Sequence, residues 1–431
     1  MKAFKMKRAE SLDEMINSFQ PTPLDEINLS DFYYGKTMPA RIGHACSSPI
    51  DDLFEDCTKL STATAHLLLG HSGCGKSTEL INLKHKLKKN NHPVHIFRTE
   101  LEANLHETSH VDIMLFITEG LCSIVKENTI MLSNALLQEV YDFLKKGLKE
   151  FETTAKEVSV DIVHLLKLCA AVKSSLQFET QTRTIIKGKI ESRAAEWMIY
   201  ISEISNNIAS EMGGNQPVLI FEDLEKIQPP ERAFEVFRLD ILAKMPFPVI
   251  YTLPISLIYD LRFISLENFY KVRVLPMIKV SNNDKTQSDE GIEVMNKIVE
   301  LRADLELFDV GVLEYFIKQT GGVLRHLFES IVSASRLASR RGADRITKQD
   351  AQYALSDLSS NLSRQITSED YDILTKIYHD IRYRKRIGNR ASLLTQLQAL
   401  VVLEYQNGDI WHDLHPLIAN FLINKNIIER V

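Results

Sequence analysis

The stretch Gly70-His71-Ser72-Gly73-Cys74-Gly75-Lys76-Ser77-Thr78 constrains the fold of this chain more than any other. It matches the pattern GxxxxGK[ST]. It lies between an apolar run, Ala65-His66-Leu67-Leu68-Leu69, and a helix-forming run from Ser77 to about Lys89. That strand–turn–helix context gives the motif its meaning. Glycines at 70, 73 and 75 let the backbone curl, so that successive N–H groups and a helix N-terminus converge on phosphate. Lys76 is placed to reach β- and γ-phosphates, Ser77 to ligate Mg2+, and Thr78 to support the α-phosphate. His71, Ser72 and Cys74 fill the variable positions of the loop. Cys74 stands near a helix N-terminus and a lysine, which favours thiolate, but a tolerated small residue is the simpler reading.

The surrounding pattern points to an α/β fold. His92-Pro93 ends the first helix, and Val94-His95-Ile96-Phe97 reads as a second strand of a parallel sheet. From Val111 to Met212 the pattern is helical and free of proline. That is far more chain than one crossover needs, so a helical insertion is expected near 130–187. Strands follow at Val218–Phe221, Pro248–Leu253 and Val272–Leu275. The polar run Ser281-Asn282-Asn283-Asp284-Lys285-Thr286 suggests a linker. Asn407-Gly408 between Leu400–Tyr405 and Ile410–Leu414 is a strong hairpin signal. The expected organisation is a lead-in over 1–45, a core over 46–280, a helical lid over 281–362 and a C-terminal module over 363–431.

Composition narrows the class further. Of 431 residues, 44% are hydrophobic and 25% charged, ordinary values that exclude collagen-like and wholly disordered chains. A net charge of −6 argues against non-specific coating of nucleic acid. No apolar run approaches the roughly 18 residues of a membrane span, and no apolar stretch follows Lys2, Lys5, Lys7 and Arg8 as a signal peptide requires. A cytoplasmic protein with no membrane partner is expected. Five dispersed cysteines read as reduced thiols, and structural zinc is not expected.

The second chemical segment is Val218-Leu219-Ile220-Phe221-Glu222-Asp223-Leu224-Glu225-Lys226. An apolar strand ending in carboxylates puts them at the carboxyl edge of the sheet, where ligands of open α/β folds sit. Acids there can hold Mg2+ and polarise a water.

With both segments in place, the chain resembles P-loop ATPases of the AAA+/STAND group. It is most similar to the branch near the origin-recognition and initiator-loader ATPases, which includes bacterial ATPases of anti-phage gene clusters. The resemblance implies ATP and Mg2+ as ligands, with Ser77 and Glu222 on the metal and Asp223 activating water. The group's acidic strand commonly ends Asp-Asp-x-Asp-Lys, whereas this one ends Glu222-Asp223-Leu224-Glu225-Lys226. Lengthening one acid and shortening another implies slow hydrolysis, which suits a switch. In Val249-Ile250-Tyr251-Thr252-Leu253-Pro254, Thr252 matches a polar sensor facing the γ-phosphate. In Gly321-Gly322-Val323-Leu324-Arg325, Arg325 matches a lid arginine that reaches the phosphates.

The same resemblance implies a homo-oligomer with an arginine finger, for which Arg232, Arg238 and Arg262 are candidates. It also implies a C-terminal winged-helix-like module with the 407–408 hairpin as its wing, and a separate effector protein, since no nuclease motif is evident. Trp411, His412 and His415 read as hairpin packing. The alternative is a DNA-bound initiator-like ATPase gripping phosphates through Arg382, Arg384, Lys385 and Arg386.

Overall fold

The computed structural model describes residues 5–44, 47–59, 64–98, 108–147, 160–177, 187–188, 191–227, 230–380 and 391–430. Five strands form one parallel sheet: β1 (Ala65–Gly70), β2 (Val94–Arg98), β3 (Val218–Glu222), β4 (Val249–Pro254) and β5 (Lys271–Val274). Their spatial order is β2-β3-β4-β1-β5. β1, β3 and β4 are buried throughout, as strands covered by helices on both faces must be.

Along β1, β3 and β4 the side chains alternate between two cores. Leu68, Ile220 and Ile250 face one core, which also takes Leu80, Leu83 and Leu87 of the helix Lys76–Lys89. Leu67, Leu69, Leu219, Phe221 and Tyr251 face the other, beneath the helices His110–Glu127 and Ala194–Glu211. The helical stretch between β2 and β3 also contains Asn134–Gly147 and Ile162–Gln177.

Beyond β5 come the helices Asp289–Glu300, Val312–Thr320, Leu324–Arg340 and Lys348–Ser363, the last opened by a Thr347–Asp350 capping box. The C-terminal module follows, with helices Tyr371–His379, Ala391–Gln398 and Pro416–Asn424 around the antiparallel hairpin β6 (Val402–Asn407) and β7 (Asp409–Leu414). Gly408 turns that hairpin at φ 75°, and Trp411 stacks on Tyr405 with ring centroids 4.6 Å apart. The chain is therefore an α/β protein: a parallel P-loop-type sheet, then a helical region and a winged-helix-like module.

The lead-in is partly helical. Leu12–Ser18 packs against the helix Leu324–Arg340, with the rings of Phe19 and Phe328 5.5 Å apart edge to face. Residues 281–286, expected as a linker, are tied down as well, because Lys285 ion-pairs with Asp413 of β7.

Candidate functional site

A cavity of about 440 Å³ opens at the carboxyl ends of β1, β2 and β3. Its floor is the turn after β1. Gly73 and Gly75 there have φ of 74° and 102°, a left-handed conformation that disfavours any side chain. A Cβ on Gly73 would also stand 2.7 Å from the Cβ of Arg325. Gly75 caps the helix Lys76–Lys89. The first N–H groups of that helix have no intrahelical acceptor, and Ser77 and Thr78 line the cavity.

Each side chain of the loop has a defined partner. Lys76 is buried, and its Nζ donates to the carbonyls of Gly70 and His71, both at 3.0 Å. Ser72 Oγ accepts from Arg325 Nη1 at 2.7 Å. Cys74 is buried, its Sγ 3.9 Å from the Leu275 carbonyl. His71 is buried too, and its Nε2 accepts from the Glu404 N–H of β6 at 2.8 Å.

The acids divide by environment. Glu222 ends β3, and burial pushes its carboxyl up to about 8 against the pull of Arg98, whose Nε lies 3.8 Å away. Asp223 adopts φ 69° and ion-pairs with Lys226 at 2.9 Å. Glu225 faces Lys76 Nζ at 3.3 Å and accepts from Thr252 Oγ1 at 2.6 Å. Thr252 thus meets the cavity through that carboxylate. All three acids line the cavity with Lys76 and Arg325.

The three candidate finger arginines lie elsewhere. Arg238 pairs with Glu235 at 2.8 Å, and Arg262 with Asp260 at 2.5 Å while resting over the Phe234 ring. Arg232 is on the helix Pro230–Phe237. The basic residues Arg382, Arg384, Lys385 and Arg386 lie outside the described residues, as does Cys46.

Sequence reasoning missed several residues that build this site. Arg41 is buried, donating to the Cys74 carbonyl at 2.8 Å and the Pro276 carbonyl at 2.5 Å, so it staples the loop to the chain beyond β5. Tyr33 and Thr37 hold Glu79 at 2.7 and 3.2 Å, and Pro21, Pro23 and Tyr34 complete that wall. Nothing local marks those residues. Arg98 and Glu225 carried a weak signal, since both stand at strand ends on the ligand edge.

The C-terminal module meets the site through buried polar groups. Tyr259 hydroxyl donates to Glu404 and lies 2.9 Å from His412 Nε2, while His326 Nδ1 and His415 Nε2 are 3.1 Å apart. Tyr405 hydroxyl donates to the Gly321 carbonyl at 2.7 Å. The next residue, Gly322, has φ 81°, and a Cβ there would fall 1.8 Å from the Ile278 carbonyl oxygen.

Burial drives His66, His71 and His326 down to about 4, and His415 well below its ordinary value of 6.5. The unfolded chain takes up these protons near 6.5 while the fold refuses them. Stability is therefore intact above 6.5 and falls as pH drops towards 4, by up to about 1.4 kcal/mol per histidine per pH unit. Urea unfolding followed from pH 7 to pH 5 should show that steep loss, with a shallower slope in His71→Gln.

No family model matches this chain, and no curated protein matches it. Among solved structures it is similar to Cdc6p from Pyrobaculum aerophilum, at 11% identity over 93% of this chain and 97% of that one, TM-score 0.39. It is also similar to the Aeropyrum pernix ORC1 protein in complex with DNA, at 10% identity over 88% and 92%, TM-score 0.39. A third is the Aeropyrum pernix ORC2 protein, at 12% identity over 88% and 90%, TM-score 0.39. The functional reading stands on this chain's own residues.

Proposed function

We propose that this chain binds ATP with Mg2+ at the 70–78 loop and hydrolyses it slowly as a conformational switch. The observation that carries this reading is convergence. A glycine-lined helix N-terminus, the Lys76 ammonium, the Ser77 hydroxyl, the acids ending β3 and the Arg325 guanidinium surround one cavity. Cations and N–H donors grip phosphates, while carboxylates at the same edge serve a metal and a water.

In this reading Ser77 and Glu222, the latter giving up its proton as the cation binds, would hold Mg2+, which would neutralise phosphate charge. Asp223 accepts a proton from the attacking water. Arg325 moves from Ser72 to the phosphates, and Thr252 orients a carboxylate beside them. The switch follows from the loop's own attachments: Ser72 is tied to Arg325 beyond β5 and His71 to β6, so a loop that reshapes around phosphate pulls on both.

A homo-oligomer, a separate effector and a place in prokaryotic defence complete the proposal. The DNA-bound initiator-like alternative rests on Arg382, Arg384, Lys385 and Arg386, and turnover stimulated by DNA would favour it. Calorimetry of magnesium-supplied protein with ATP tests the central reading: a saturable binding heat is expected, and no heat with adenine or guanine triphosphates overturns it.

A further inference from the structure

Each donor of the Lys76 ammonium faces a protein acceptor. An ammonium has three donors. Two go to the carbonyls of Gly70 and His71, and Glu225 Oε1 stands 3.3 Å from the same nitrogen. Glu225 lies in the one-turn helix Leu224–Lys226 that follows β3, and its other oxygen accepts from Thr252 Oγ1 on β4 at 2.6 Å. The carboxylate is therefore clamped at both ends. A hydroxyl from the neighbouring strand sets its orientation, and the lysine of the phosphate loop loads its free oxygen.

The pair is shielded, with the Lys76 side chain 3% exposed and that of Glu225 11%. Opposite charges so placed attract more strongly than on a surface. Burial alone would raise the Glu225 carboxyl, yet Lys76 and the Thr252 hydroxyl hold it below the ordinary carboxylate range. Both side chains face the cavity. A phosphate bound there competes with these acceptors for Lys76. The two carbonyls are neutral, and Glu225 is the charged competitor.

We infer that Glu225 is a built-in phosphate mimic, which competes with phosphate for Lys76 and so sets how tightly a nucleotide is held. This rests on the nucleotide reading of the loop and adds to it a positioning residue distinct from Glu222 and Asp223. Glu225 acts through Lys76, and its negative charge beside the phosphate site opposes binding in the same direction.

The sign of the effect separates this role from a structural one. A carboxylate that merely braces the loop weakens binding when it is neutralised. A phosphate mimic strengthens it. Glu225→Gln keeps the length of the side chain and an oxygen to accept from Thr252, but removes the charge. Calorimetry with ATP and with ADP, both with magnesium, should show this variant binding about tenfold tighter than wild type, the scale of one charge-assisted hydrogen bond. Glu225→Asp, which draws the charge back from Lys76, should fall between the two and serves as the readout if the glutamine variant does not fold. Affinity equal to or weaker than wild type in the folded variants overturns the inference. A wild-type protein that gives no heat overturns the nucleotide reading instead, so the two failures are distinguishable.

Discussion

Lys76→Ala is expected to lower ATP affinity by about 100-fold or more and to abolish measurable turnover. A hydrogen bond to a charged group contributes about 1.5–3 kcal/mol, and Lys76 is placed to serve two phosphates. The same change has a second cost. It strands Glu225, largely buried, with Thr252 but without its cation, and breaking a buried pair from one side costs about 3–5 kcal/mol. The variant should therefore also melt at a lower temperature. Adding Glu225→Gln removes the stranded charge, so the double variant should recover most of the stability while still failing to bind. Calorimetry and thermal melting on the three proteins separate the two effects. Wild-type affinity in Lys76→Ala would rule out the phosphate loop as the binding site.

Asp223→Asn should retain ATP binding and reduce hydrolysis about 100-fold or more, the scale of one general base. The substitution is structurally mild for a specific reason. Asp223 sits at φ 69°, where asparagine is among the best tolerated side chains. Its ion pair with Lys226 is only partly buried and contributes little. A single-turnover assay with a parallel binding measurement reads both effects. Glu222→Gln provides the contrast, since that buried carboxylate is assigned to the metal. Normal hydrolysis by Asp223→Asn together with its loss in Glu222→Gln would reverse the two assignments.

Much of the fold was legible because its signals are local. The 65–98 strand–turn–helix–strand unit follows from an apolar run, three glycines, a helix-forming run and His92-Pro93, and it is present with β1 at Ala65–Gly70 and β2 at Val94–Arg98. The later strands and the 407–408 hairpin were marked in the same way. The N-terminal segment was harder to read because its short helices carry weak periodicity and are stabilised by distant partners. Ala9, for example, bonds to the Arg302 carbonyl at 2.8 Å.

By itself the sequence determined the parallel α/β class, the position of the glycine-rich loop and the clustering of acids at the end of β3, because strand edges and glycine turns are encoded by neighbours. Only the tertiary structure decided which groups meet the loop. Arg41 reaches Cys74 across 33 residues, Arg325 reaches Ser72 across 253, and the Glu404 N–H reaches His71 across 333. Such pairs leave no local trace. They arise because burying the faces of the sheet brings three distant segments over one edge, where each polar group must find a partner.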